Sequence, residues 1–126
     1  MKDTSGFSFR SRLKSFRYAF NGMRLLILQE HNARIHFVAA IIAILMGYIL
    51  NLTSAEWCLL TLVIAGVFIA ELINTAIENL CNVVQPDYHE KIKVVKDVSA
   101  AAVLLAALSA VIVAMILFIP KIICLF

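Results

Sequence analysis

The sequence predicts an all-α integral membrane fold: an N-terminal interfacial amphipathic helix followed by three transmembrane helices. Three observations carry that reading. Hydrophobic residues make up 63% of the 126-residue chain, against roughly 45–50% in soluble domains. Charged residues make up 15%, too few to clothe the surface of a soluble fold of this size. Three stretches, 35–52, 54–84 and 98–119, approach or exceed the ~20 mostly apolar residues that a spanning helix needs. The length suits one domain, 1–126.

Each element has its own signal. Residues 1–6 read as a frayed start. Over 7–30, Phe9, Leu13, Phe16, Phe20, Met23 and Ile27 recur three or four positions apart, one apolar stripe of an α-helix. Arg10, Lys14, Arg17, Asn21 and Arg24 fill its other faces, so this basic, aromatic-rich helix is expected to lie in the membrane interface. The polar segment EHNARIH (30–36) links it to the first span, and Glu30 and Arg34 are spaced for an i,i+4 ion pair. The first and second spans are joined only by residues around NLTS, which makes them an antiparallel hairpin. Pro86 ends the second helix. The run DYHE resembles a capping box, with Asp87 as the cap and Glu90 three residues later, so the third long helix is expected over 88–119. Within it Ala102, Ala106 and Ala110 form a small-residue face of the kind that lets helices approach closely in lipid.

Charge placement predicts orientation. Seven basic residues from Lys2 to Arg34 precede the first span, and Lys91, Lys93 and Lys96 lie between the second and third. The 51–56 loop has none. The N-terminus and the 82–97 loop are therefore expected in the cytoplasm, with only Lys121 against the trend. The net charge of +3 then reflects topology and attraction to anionic headgroups rather than nucleic-acid binding. No A-x-A-like cleavage site follows an early apolar core, so no cleaved signal peptide is predicted. Cys58, Cys81 and Cys124 have neither metal spacing nor an even count for a disulfide framework, and read as packing residues.

The candidate site lies in FIAELINTAIENL (68–80). Glu71, Asn74 and Glu78 share one helical face, with Thr75 beside them. Glu71 lies about 17 residues beyond Ser54, or about 25 Å at ~1.5 Å per residue, near the far edge of a ~30 Å apolar core. Glu78 lies further towards water. Intramembrane carboxylates are costly and normally face a cavity or a partner. The deeper carboxylate could meet a lipid headgroup hydroxyl, and the shallower could hold a hard cation such as Mg²⁺ through oxygen. Lys96 and Asp97 fall on the first intramembrane turn of the third span, where a Lys can bind phosphate as a point charge or simply snorkel to the interface. There is no G-x-x-x-x-G-K-[ST], G-x-G-x-x-G, H-R-D or D-F-G, so any nucleotide site is built without a P-loop or protein-kinase core.

AELINTAIENL followed by DYHEKIKVVKDVSAAAVLL resembles the signature of the small prokaryotic diacylglycerol kinase family, which includes undecaprenol kinases; SFRYAFNGMR and EHNAR also match. The resemblance covers about residues 7–120. It implies a homotrimer in the bacterial inner membrane with active sites shared between neighbouring chains and open to the cytoplasm. It implies Glu71 as catalytic base, Asn74 as a positioning group, and Glu30 and Glu78 as the carboxylates holding the Mg²⁺ bound to ATP. Tyr18, Asp87, Tyr88, His89, Lys96 and Asp97 match nucleotide contacts. Arg10 and Arg12 straddle a lipid-contacting position, and Ala100 matches a substrate-lining one. The family commonly has an acid where this chain has Asn82. The implied reaction is in-line phosphoryl transfer from ATP to a lipid hydroxyl, from diacylglycerol to phosphatidic acid. NARIH, with His36, looks more like the branch containing undecaprenol kinases, the alternative substrate class. A non-enzymatic membrane scaffold, with the polar stripe serving assembly, is the alternative of a different kind.

Overall fold

The computed structural model describes residues 8–126. The start at 1–6, including Lys2, and the first residue of the helix expected over 7–30 lie outside the described residues. The described chain forms four α-helices: α1 (Phe9–Gln29), α2 (His31–Ile49), α3 (Ser54–Val84) and α4 (Glu90–Ile123). The last three are long and apolar enough to cross a membrane. In hydrocarbon every backbone N–H and C=O must be satisfied within the protein, which a helix does by itself. α3 and α4 pack against each other most extensively, α2 joins both, and α1 lies against α2 and α3. The chain thus has a hairpin end, at residues 50–53, and an opposite, polar end, towards which the α1–α2 junction and the 85–89 loop lie.

The hairpin end shows how the helices stop and start. α2 finishes in a Schellman motif: Leu52 N–H donates to Gly47 O at 3.0 Å and Asn51 N–H to Tyr48 O at 3.4 Å. Asn51 takes the left-handed conformation this requires, φ 51°, which Asn tolerates better than most residues. α3 begins with a capping box: Thr53 Oγ1 accepts from Glu56 N–H at 3.3 Å, and Glu56 Oε2 accepts from Thr53 N–H at 2.8 Å. Lys121, the one basic residue against the charge trend, places Nζ 3.1 Å from the same carboxylate and ties α4 to the start of α3.

Boundaries differ from the sequence expectation in α1, which spans Phe9–Gln29 rather than 7–30, and in α2 and α4. α2 starts at His31 rather than 35, because only Glu30, at φ −101° and ψ 118°, leaves the helical conformation; the polar residues 31–34 form its first turn. It ends at Ile49 rather than 52, since the Schellman turn uses up the next residues. α4 starts at Glu90, not near Tyr88. Its cap is His89, whose Nδ1 accepts from Lys91 N–H at 3.2 Å, so Asp87 is not the cap and the capping box sits at Thr53 instead. α4 also runs past Pro120 to Ile123. A proline removes one backbone hydrogen bond, and Cys124 N–H still closes the last turn onto Pro120 O.

Glu30 and Arg34 do not pair. Arg34 Nε donates to Ile27 O at 2.8 Å, and Nη2 donates to Leu28 O. These carbonyls are among those left open at the end of α1, so the arginine closes the α1 terminus from the next helix. Of α1, only Leu26 is buried; Phe9, Leu13, Phe16, Phe20 and Met23 of the apolar stripe are exposed.

Leu52, Leu60, Leu117 and Phe118 form the main core cluster, flanked by Met46 and Trp57. Trp57 also meets Tyr48, ring centroids 4.8 Å apart. Gly47 makes this approach possible: a Cβ there would lie 2.7 Å from the Trp57 ring and 3.0 Å from Leu52 Cδ1. An indole ring cannot fold aside as a flexible chain end would. Ala at position 47 gains about 1 kcal/mol of helix propensity, but overpacking costs about 1–3 kcal/mol. Gly47→Ala is therefore expected to lower the melting temperature of the purified protein in detergent, and a raised melting temperature would contradict this packing.

Candidate active site

The stripe on α3 turns inward. Glu71 is 2% exposed, and Asn74 and Thr75 are buried beside it, while Glu78, one turn beyond, is half-buried. The helical repeat dictates this alignment, and the apolar run before Ala70 fixes its depth. An isolated carboxylate in an apolar site is costly unless it gains partners. Across from Glu71, α2 supplies His36, whose Nε2 lies 3.3 Å from Glu71 Oε1. Their alignment is outside hydrogen-bond geometry, so Oε1 is buried with no hydrogen-bond partner among the described residues; so is Thr75 Oγ1. The charges of Glu30, at the α1–α2 break, and of Glu78 also reach the Glu71 carboxylate.

A second polar contact joins α3 to α4. Ser99 Oγ lies 2.7 Å from Asn74 Oδ1 and 2.9 Å from Lys96 O. One hydroxyl has one proton. With the Asn74 amide turned over, its Nδ2 donates to Ser99 while Ser99 donates to Lys96 O; either orientation keeps the inter-helix bond. One turn nearer the polar end, Lys96 Nζ donates to Asn82 Oδ1 at 2.6 Å. Because its partner is a neutral amide, the lysine is held in place with its charge uncompensated.

The structure gathers some of the expected residues and leaves others apart. Glu71, Asn74, Glu78, Glu30 and Lys96 all lie in the half of the chain's helices towards the polar end, but among the described residues no three of His, Cys, Asp and Glu come close enough together to hold a metal ion. Asp97 is engaged by Lys93 one turn earlier. Asp87, Tyr88 and His89 are exposed in the 85–89 loop, His89 being occupied as a cap. Tyr18, Arg10 and Arg12 lie on the exposed surface of α1, and Ala100 is exposed on α4. Its neighbour Ser99 is the buried one, since one residue along a helix is a rotation of ~100°.

Two further residues emerge that spacing did not single out for the site: His36 as the partner of Glu71 and Ser99 as the partner of Asn74. His36 had a signal, being an ionisable side chain inside an otherwise apolar span. Ser99 had none, because serine is common in helices packed in lipid.

Beyond His36 and Phe68, a cavity of about 170 Å³ runs between α2, α3 and α4. Ala40 and Ala43 of α2, Val67 of α3 and Ala107 and Ala110 of α4 wall it. Of the expected small-residue face, Ala102 is exposed and Ala106 half-buried, while Ala110, with Ala107, borders the cavity. His36 lies at the end of this cavity nearest Glu71. The candidate metal ligands fit Mg²⁺ in kind. Glu30 and Glu78 offer hard oxygen donors, and Mg²⁺ is commonly held by one or two carboxylates completed by substrate phosphates.

Three membrane-length helices carrying a buried carboxylate beside an apolar cavity define a multi-pass membrane protein with a polar site at one end. The chain belongs to the prokaryotic diacylglycerol kinase family, whose pattern matches residues 17–118. It is 34% identical over 108 residues to an undecaprenol kinase from Bacillus subtilis, covering 86% of this chain and 88% of that protein. It is 40% identical over 109 residues to a diacylglycerol kinase from Synechocystis, covering 86% of this chain and 62% of that protein. A diacylglycerol kinase from Escherichia coli is 32% identical over 110 residues, covering 87% and 88%.

Ser99→Ala is expected to remove the inter-helix bond and leave the buried Asn74 amide short of a partner, a loss of about 1–3 kcal/mol. Reversible unfolding in mixed micelles measures it; an unchanged midpoint would show that water or another group satisfies Asn74.

Proposed function

We propose that the chain transfers the γ-phosphoryl group of ATP to the hydroxyl of a membrane lipid, turning diacylglycerol into phosphatidic acid. Its family makes it a lipid kinase. The observation that carries the mechanistic reading is Glu71: a buried carboxylate with an unpartnered oxygen, 3.3 Å from His36, which lines one end of an apolar cavity.

The lipid chain lies along the cavity, which brings the hydroxyl to Glu71. Glu71 takes the hydroxyl proton as the oxygen attacks the γ-phosphorus, a task worth ~10²–10⁴ in rate for a well-placed base. Asn74, fixed by Ser99, sets the angle of the groups beside it. Lys96, held by neutral Asn82, offers its charge to the phosphates. Glu30 and Glu78 would hold the Mg²⁺ that accompanies ATP; when bound, it offsets charge developing on the phosphoryl oxygens. Asp97 and the Asp87-Tyr88-His89 turn border the nucleotide, as does Tyr18 from α1, while Arg10 or Arg12 meets the lipid headgroup and Ala100 lines its path. Little covalent chemistry falls to the protein in such a transfer; positioning and electrostatics supply the rate.

The exposed aromatic stripe of α1 suits a helix lying in the membrane interface, with the polar end facing the cytoplasm of a bacterial inner membrane. Many apolar side chains remain exposed on α3 and α4, as expected for a homotrimer in lipid whose sites are completed by neighbouring chains. The Bacillus relative, matched over most of its length, supports a second substrate, undecaprenol, which offers the same primary hydroxyl beside a long chain. An apolar cavity discriminates weakly between such chains.

Glu71→Gln is expected to keep the fold and lose at least about 10²-fold of lipid-dependent ATP consumption; wild-type turnover would sink the assignment. Glu78→Gln is expected to raise the Mg²⁺ concentration needed for half-maximal rate, read from a Mg²⁺ titration at fixed ATP. Diacylglycerol and undecaprenol in competition in the same micelles give the preferred lipid from the product ratio.

A further inference from the structure

We propose that His36 is the proton exit of the site: it takes from Glu71 the proton removed from the lipid hydroxyl and passes it to water at the membrane surface. The inference rests on the kinase reading above and deepens it.

The reaction forms a bond from the lipid oxygen to the γ-phosphorus and breaks the bond from that phosphorus to the β–γ bridging oxygen. ADP leaves with the bridging electron pair, and the hydroxyl proton remains on Glu71. Each turnover must clear that proton before the next hydroxyl arrives. Glu71 cannot do so directly, since its side chain is 3% exposed and Oε1 has no hydrogen-bond partner. His36 Nε2 stands 3.3 Å from that oxygen on a side chain that is 24% exposed, so it connects the buried acid to more accessible space. A small rotation of either side chain turns the present contact into a hydrogen bond. Imidazole is also the side chain suited to taking and releasing protons near neutral pH. With Nε2 unprotonated and Nδ1 carrying the hydrogen, His36 accepts at Nε2 to become imidazolium, then gives a proton to water.

Among the described residues, His36 is the ionisable side chain in contact with Glu71. Glu30 from the α1–α2 break and Glu78 from α3 are the other charges that reach Glu71, and both belong to the proposed metal pair. α4 faces Asn74 with Ser99, and its Lys96 is bonded to Asn82. Arg34, one turn before His36 on α2, is committed to carbonyls of α1. His36 acts on the proton through Glu71, so its loss falls chiefly on turnover.

The test uses the full-length protein in mixed micelles with ATP, Mg²⁺ and either diacylglycerol or undecaprenol. His36→Gln, which keeps a polar group of similar reach but carries no proton, is expected to lower kcat at least about tenfold and to leave KM for lipid and ATP within about twofold. His36→Ala is expected to lose kcat likewise and to regain it with added imidazole in a concentration-dependent way; His36→Gln, whose side chain fills the space, regains none. A wild-type kcat in His36→Gln, a loss confined to KM, or failure of imidazole to restore His36→Ala would each overturn the relay while leaving the kinase reading intact. A wild-type protein inactive towards both lipids would overturn the relay and that reading together.

Discussion

A carboxylate buried at the polar end of an apolar bundle sets the terms for everything near it. Glu71 is placed where water cannot reach it, and every neighbouring polar group is arranged in answer. α2 brings His36 within 3.3 Å, α4 brings Ser99 against Asn74, and the two shallower carboxylates remain half-buried. Such a group is costly in hydrocarbon. It is tolerable because the cost falls on a short stretch, while the other end of the bundle is held by ordinary apolar packing around Leu60, Leu117 and Phe118.

The two ends of the molecule therefore divide the work. The hairpin end is closed by local devices: a Schellman turn, a capping box, the Lys121–Glu56 pair and the Gly47 seat for Trp57. These tie α2, α3 and α4 together at that end. The polar end is held by side-chain hydrogen bonds between helices, and the alanines of α2 and α4 line a cavity behind His36. A site that must admit a lipid from one side and a nucleotide from the other needs such open space. The contrast between Lys93 and Lys96 belongs to the same economy. Lys93 is matched by a carboxylate, whereas Lys96 is steadied by a neutral amide.

Capping shows where local reading succeeded and where it slipped. The four-residue pattern of a capping box occurs both as T-S-A-E and as D-Y-H-E in this chain. Only the first forms, because the hairpin turn delivers Thr53 in the extended conformation a cap requires. At the second, the loop after Pro86 carries the chain two residues further before the helix begins, and His89 becomes the cap. Likewise the spacing of Glu30 and Arg34 allows an ion pair, but Arg34 instead meets the open carbonyls of α1. An exposed ion pair contributes little, so its loss is readily offset by two charge-assisted bonds to carbonyls.

The sequence by itself determined the helical class, the three membrane-length segments, the full extent of α3 and the alignment of Glu71, Asn74 and Glu78. All of these follow from hydrophobic run length and a period of 3.6 residues, which are properties of one segment at a time. The family signature in FIAELINTAIENL was legible for the same reason, being contiguous. Only the tertiary structure decided that His36 faces Glu71, that Ser99 rather than Ala100 faces Asn74, that Asn82 holds Lys96, and that a cavity opens among the alanines. Each of these joins residues from different helices, and the rotation of one helix against another is set by packing across the whole bundle rather than by any stretch of chain.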